Sequence, residues 1–359
     1  MKPQIKLFTP LAMGPMTIPN RISVAPICMY RAKSGMVQIF HKIHYAALAA
    51  GGIGLVTIES TAIRPDGRIT DADLGLWSDQ CEESLARLVE IIREYAPDVK
   101  IAIQLNHAGR RGSVAPMTEK PLNSLEGGWG TVAPSAEMRE ADGIRPRELT
   151  LDEIDTIVQD FAKAAERAVR AGVDAVQIHG ANGYLIHQFL SPISNKRMDE
   201  YGGPIDGRMK FGLRVVEAVC RVCKDKVAIG LRVPMQDWMD GGLTPSEGLR
   251  FAHMAKAHGV DYIDVSSGGI SPLEEIPWGA GYQVPLAESV KQEVGLPTFV
   301  GGMINDAWQA ETILCTKMAD GIDVGRGLLD DPHWGWHAAR KLHVENLVMP
   351  TQVALAYRR

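Results

Sequence analysis

Eight short runs rich in β-branched residues, each followed by an amphipathic stretch, constrain this chain more than any other feature it carries. The runs lie at 22–26, 54–59, 100–105, 174–179, 227–233, 261–266, 298–301 and 321–325. Helical patterns follow near residues 41–50, 81–95, 151–171, 207–223, 245–258, 285–294, 306–317 and 331–341. Short apolar runs alternating with 3.6-residue periodicity mark parallel strands joined by crossover helices. Periodicity alone admits a doubly wound sheet or a closed barrel, and the count of eight favours an α/β fold of (β/α)8 TIM-barrel type. Thr150 with Glu153 predicts a capping-box start for the third helix, and Gly172 its end. No shift in composition divides the chain, so residues 1–359 are expected to form one domain.

The chemical class is bounded by charge and cysteine usage. The chain carries 43 acidic and 38 basic side chains, a net charge of −5 that offers no general attraction to nucleic acid or an anionic membrane. Pro10, Gly14, Pro15 and Pro19 interrupt the start of the chain, so neither a signal peptide nor a transit helix is expected, and the predicted location is cytoplasmic. Run 45–58 is too short to span a bilayer and is broken by Gly51, Gly52 and Gly54. The five cysteines, at 28, 81, 220, 223 and 315, are too sparse for a disulfide framework. Cys220 and Cys223 fall inside a helical pattern with no second pair to complete a zinc site. His41 and His44 share a helix face with no carboxylate at ligand spacing, so no metal is expected.

Two connections break the regular spacing. Residues 106–149, after the third strand, and 180–207, after the fourth, are long and rich in Gly, Pro and charged residues. Long loops in compact domains are usually functional, and after barrel strands they overhang the C-terminal mouth where barrel active sites sit. His179-x-x-Asn182-x-Tyr184 opens the second loop. A neutral imidazole and an amide can both donate to one carbonyl oxygen, and a tyrosine holds its proton at neutral pH for delivery as a general acid. Gly301-Gly302 and Gly325, after strands seven and eight, permit close backbone approach to a phosphate, and Arg326 adds a charged contact; ordinary turn glycine is the alternative. Arg232 ends the fifth strand and needs an anionic or hydrogen-bonding partner. His107 is expected to be a structural hydrogen-bond partner.

Several blocks together resemble the Old Yellow Enzyme family of FMN-dependent ene-reductases, in the branch of its thermophilic-like and xenobiotic-reductase members. They are Asn20-Arg21-Ile22, Pro26-x-Cys28-x-Tyr30, Gly67-Arg68-Ile69-Thr70 leading to Leu76-Trp77-Ser78, the block Gln104 to Arg110, HGANGYLIHQFLSPISNKRMDEYGG from His179, Gly301-Gly302-Met303 and Val324-Gly325-Arg326. The resemblance covers nearly the whole chain and implies a barrel with FMN in its mouth. It implies that Ala25, Pro26, Ile27 and Cys28 lie along the flavin, with Cys28 tuning its potential and Ser60 beside it. Gln104 and Arg232 would bond the pyrimidine edge, while the backbone at Gly302 and Gly325, with Arg326, would hold the phosphate. Tyr30 would contact the substrate, His179 and Asn182 would bind its activating oxygen, and Tyr184 would protonate the α-carbon. Trp278 could roof the pocket or merely pack.

The same resemblance implies a reaction in two halves. NAD(P)H, by family habit NADPH rather than NADH, gives hydride to the flavin and leaves. A small α,β-unsaturated carbonyl compound then takes the same face and is reduced at C=C. No Gly-x-Gly-x-x-Gly follows a strand, so the nicotinamide needs no domain of its own. A homodimer or homotetramer is implied, in which Arg358 or Arg359, on a tail from about residue 342, could enter a neighbouring site. Three positions depart from the branch: Arg111 replaces a usual lysine, Ser60 a common alanine, and Asn182 a frequent histidine. Two further readings stay open at this level: a same-family enzyme acting on an enoyl-type thioester, and a barrel lyase or isomerase placing its substrate at the phosphate site. A flavin-binding protein without turnover is disfavoured by the intact His-Asn-Tyr set.

Overall fold

The computed structural model describes residues 4–140, 143–345, 349 and 351–355. Eight parallel strands close on themselves. They are β1 (Ile22–Val24), β2 (Leu55–Ala62), β3 (Lys100–Asn106), β4 (Ala175–His179), β5 (Ala228–Pro234), β6 (Tyr262–Ser266), β7 (Thr298–Val300) and β8 (Gly321–Val324). Each pairs with its neighbour in sequence, and β8 pairs with β1 to complete the ring. Every residue of β2 and β4 is buried, as expected of strands covered by helices on one side and a filled barrel on the other. Around them run α1 (Ile39–Ala49), α2 (Asp79–Tyr95), α3 (Leu151–Arg170), α4 (Lys210–Cys223), α5 (Pro245–Ala257), α6 (Val284–Val294), α7 (Ala307–Cys315) and α8 (Trp334–Lys341). This is the α/β TIM barrel that the alternation predicts.

The capping box at Thr150 and Glu153 is present, an arrangement that contributes about 1 kcal/mol to a helix start. Gly172 follows the end of α3 at φ +89°, in the left-handed region that glycine enters at least cost. Cys220 and Cys223 are buried on α4, and burial pushes both thiols up to about 12. The helical pattern at 207–223 is broken at Met209 into a short turn, Ile205–Arg208, and α4. Likewise the pattern at 331–341 is preceded by a separate short helix, Arg326–Asp330, that starts directly after β8.

Period-two alternation along the strands decides what fills the barrel. At the N-terminal end the inward residues are Ala102, Ala175, Ala228, Tyr262 and Phe299, one buried cluster with Met13, Met16 and Ile18. The small residues make room for two rings, which meet edge to face with centroids 5.8 Å apart. A Cβ on Gly230 would lie 2.2 Å from Tyr262, and one on Gly321 2.2 Å from Phe299, so both strands need glycine there. The hairpin Leu11–Met13 with Met16–Ile18 closes this floor from below. Three-residue strands are too short to show a period, which is why the alternation does not announce the hairpin. Two residues further along, or four on β5, the interior turns polar, with Gln104, Gln177, Arg232, Asp264 and Asp323. A cleft of about 770 Å³ lies at the floor end between α1, α2 and α8, away from the polar mouth.

Candidate active site

The mouth is built where the strands end. After β1, residues 25–30 are all half-buried, forming a continuous ledge. Ala25 and Ile27 on this ledge line a cavity of about 180 Å³ together with Asn182, Arg232, Trp278, Gly302, Gly325 and Arg326. Pro26 sits between them on the same ledge. Ser266, Tyr282, Gln283 and Asp323 line the same cavity; of these Tyr282 and Gln283, at the start of α6, carry no sequence signal and are found only by folding the chain. The cavity requires its glycines. A Cβ on Gly302 would approach Tyr282 to 3.1 Å, and one on Gly325 would approach Ile27 to 3.1 Å. Trp278 is 66% exposed and leans on Tyr282 with ring centroids 5.3 Å apart, so it stands at the rim.

Tyr184, Cys28 and Tyr30 pack with Ile69, Ala108 and Val114 in a second patch beside the cavity. Tyr30 holds φ at +52°, an arrangement costing about 1–3 kcal/mol that clusters at functional sites. Cys28 is within hydrogen-bond reach of Ser60, which lies in an irregularity of β2 between Ile58 and Thr61. Burial, with Asp73 and Glu59 nearby, pushes the Cys28 thiol well above its ordinary range, so it is a neutral thiol and not a poised nucleophile. Gln104 is buried on the barrel axis and donates to Gln177 at 2.7 Å.

Donor roles at the fourth strand are fixed by neighbours. The backbone N–H of Ala181 donates to His179 Nδ1 at 3.3 Å, which leaves the proton of a neutral ring on Nε2. Burial first, and then the cations Arg232 and Arg111, hold His179 well below its usual range, so the ring is neutral. Asn182 adopts φ +55°, and its Oδ1 accepts from the Ser266 hydroxyl at 3.3 Å, which turns the amide nitrogen outward as a donor. Tyr184 lies edge to face with His179, centroids 4.9 Å apart. Burial raises the phenol above its normal value, while Arg111, 5.0 Å from the ring centre, opposes the rise.

Arg111 joins three parts of the mouth. It donates to the Asn182 carbonyl at 2.5 Å, pairs with Glu119 at 2.8 Å and lies over Tyr184. The two long loops are stitched together beneath it. Gln188 donates to the carbonyls of Ala108 and Gly183, and Arg197 to those of Pro134 and Leu149. His187 accepts from the Gly183 amide and pairs with buried Asp237 at 2.7 Å. His107 Nδ1 accepts from the Gly109 amide, the structural role expected of it. His41 likewise accepts from the Gln38 amide at the start of α1. Arg358 and Arg359 lie outside the described residues. Among the described residues no helix is long and apolar enough to cross a membrane.

The residues of this mouth fit FMN. Arg232 Nε is buried at the cavity, 3.5 Å from Asp264 Oδ2 but without a hydrogen bond, the loop glycines keep the backbone open to a phosphate, and Arg326 supplies an exposed cation. A model of the NADH:flavin oxidoreductase / NADH oxidase family matches residues 6–345. The chain belongs to this family, that of Old Yellow Enzyme. Among the family's curated members it is 39% identical to an NADPH dehydrogenase of Geobacillus thermodenitrificans, covering 98% of both chains. An NADPH dehydrogenase of Clostridium acetobutylicum is 41% identical over 98% of this chain and 100% of that one. Morphinone reductase superposes with a TM-score of 0.78 at 29% identity, over 94% of this chain and 90% of that one. The Old Yellow Enzyme homologue of Zymomonas mobilis gives 0.76 at 27%, over 97% and 94%. A 2-naphthoyl-CoA reductase reaches 0.83 at only 23% identity, and this chain spans 52% of its length, so that likeness is one of fold. Membership in the Old Yellow Enzyme family makes the protein a flavin-dependent NAD(P)H oxidoreductase and removes the lyase or isomerase reading.

Proposed function

We propose that this protein reduces the activated C=C bond of small α,β-unsaturated carbonyl compounds, with NADPH as the preferred reductant and FMN held in the barrel mouth. The observation that carries the proposal is the locking of two donors. The Ala181 amide occupies one side of His179 and Ser266 occupies the oxygen of Asn182, so both side chains turn an N–H toward the mouth beside Tyr184.

FMN, when bound, would supply the hydride chemistry that connects the nicotinamide to the substrate β-carbon. Ala25 to Cys28 and Ser60 would flank its ring, Gln104 and Arg232 would hold the pyrimidine edge, and Gly302, Gly325 and Arg326 would hold the phosphate. His179 and Asn182 donate to the substrate carbonyl oxygen and stabilise the negative charge that develops there. Each such donor is typically worth about 3–4 kcal/mol of barrier. Tyr184 delivers its proton to the α-carbon, and Arg111, over the ring, offsets the charge left behind. Tyr30 and Trp278 bound the substrate and exclude water. Residues 1–359 act as one FMN-binding domain, in a cytoplasmic homodimer or homotetramer with no nucleic-acid or membrane partner.

The test is the visible spectrum of the purified protein, recorded anaerobically, before and after NADPH and again after cyclohexenone. The expected result is a flavin spectrum that bleaches with NADPH and recovers with the enone. A protein that cannot take up FMN would overturn the assignment of Gln104, Arg232 and Arg326. Bleaching with no recovery would point to a larger acceptor, such as an enoyl thioester.

A further inference from the structure

Between the apolar floor and the mouth, the barrel encloses two carboxylates and one cation. Asp264 on β6 and Asp323 on β8 are 1% and 5% exposed. The cation that faces them is Arg232, whose Nε lies 3.5 Å from Asp264 Oδ2. Gln177 donates to the same oxygen at 3.3 Å, while its own carbonyl accepts from Gln104. The remaining titratable neighbour is the Tyr262 hydroxyl, which is buried beside both aspartates and held neutral. Asp264 Oδ2 is therefore well served. Asp264 Oδ1 and Asp323 Oδ2 have no donor at all, although Asp323 is close enough to act on Asp264 as a hydrogen-bond partner.

Three charge states can be compared. Two ionised carboxylates side by side in a water-poor interior repel each other and leave two acceptors unsatisfied. Two neutral carboxyls leave Arg232 as a buried cation without a counter-charge. One proton between them allows a carboxyl–carboxylate hydrogen bond and keeps a single negative charge against Arg232. Burial and the adjacent Asp323 hold Asp264 well above the ordinary carboxyl range, with Arg232 opposing.

We propose that Asp264 and Asp323 share one proton beneath Arg232, and that the single charge remaining on the pair sets the net charge Arg232 presents to FMN. Asp323 and Arg232 both line the cavity, so the pair lies within one side chain of whatever ring occupies it. Both aspartates are positioning residues that act through Arg232. The proposal rests on the FMN reading of the mouth, and its test separates the two.

The variants are Asp264→Asn, Asp323→Asn and the double substitution, with the midpoint potential of bound FMN as the readout. Either single substitution leaves one ionised carboxylate, so each is expected to leave the potential unchanged. The double variant loses the charge and is expected to favour the reduced cofactor about tenfold, about 30 mV for a two-electron couple. Single variants that each shift the potential about half as far as the double would show two ionised carboxylates. A double variant that does not move would show a neutral pair. Either result overturns the proposal. The infrared carbonyl band of a protonated carboxyl, read on FMN-free protein, decides the matter even if the double variant does not fold. Sharing requires that both single variants lose the same band, and a band that survives Asp323→Asn overturns it. Wild-type protein that fails to bind FMN would sink the reading of the mouth, while the infrared comparison would still judge the pair.

Discussion

His179 and Asn182 do the same work by different means, and the difference has consequences for pH. The imidazole donates because a backbone amide fixes its tautomer, and the amide donates because Ser266 fixes its orientation. With His179 held well below its usual range, acidification through the neutral region does not charge it, and Asn182 has no charge to gain. Tyr184, raised by burial, keeps its proton on the alkaline side. The enone KM is therefore expected to stay flat between about pH 5.5 and pH 8.5. Asn182→His should introduce a slope near the histidine range, and a sloping wild-type profile would show that another group binds the oxygen. Tyr184→Phe should slow enone reduction by roughly 10²–10⁴-fold while NADPH still bleaches the flavin at the wild-type rate, which stopped-flow absorbance would separate. His179→Ala should cost about 10²–10³-fold in the same step. The spacing of His179, Asn182 and Tyr184 is visible in the sequence; the partners that lock them are not, because Ser266 arrives from a strand more than eighty residues away.

At the scale of elements, the irregularity in β2 ties the first strand's ledge to the first helix. Glu59 accepts from the Met29 amide at 3.1 Å and from the Tyr45 hydroxyl at 2.8 Å, wholly inside the protein. Burial raises its pKa to about 7, against an ordinary value of 4.5. Between those values the folded state binds more protons than the unfolded state, so stability falls as pH rises through this window. The loss is on the order of 3 kcal/mol, and Asp73, raised to about 6, adds to it in the same direction. Buried His41 and His107, both held down at about 4, act in the opposite direction below the usual histidine range, so the effect of Glu59 is read as a difference: the Tm of the wild type minus that of Glu59→Gln should fall from pH 5 to pH 7.5. A difference that stays constant over this range would show that Glu59 is ionised throughout. The eight strands and eight helices are readable because each β-branched run, however short, is followed by an amphipathic stretch in an eightfold repeat, and several helices carry a cap. The hairpin at 11–18, the short helix Leu185–Leu190 and the break at Met209 are not, since three to six residues carry no period. Their placement comes from tertiary contacts such as the Gln188 and Arg197 bridges.

For the whole molecule, the barrel interior is graded along its axis, and the gradient lies in alternate residues of single strands. Ala175, Gln177 and His179 on β4 pass from floor to polar layer to mouth in five residues; Tyr262, Asp264 and Ser266 on β6 do the same. Within the barrel, apolar packing lies in the lowest layer, where Tyr262 and Phe299 meet the N-terminal hairpin, and the proposed chemistry in the highest, with the polar layer between them. The two ends should therefore be separable by mutation. Phe299→Ala opens a cavity in the floor and is expected to cost about 3–5 kcal/mol, several degrees in Tm. Because Gln104, Gln177 and the aspartates intervene, the same variant should keep its FMN stoichiometry and midpoint potential. Calorimetry on the holoenzyme with a redox titration of the same sample would check both halves. Loss of FMN with little change in Tm would mean that the floor and the mouth move as one body, and the gradient would then be a feature of composition without mechanical consequence.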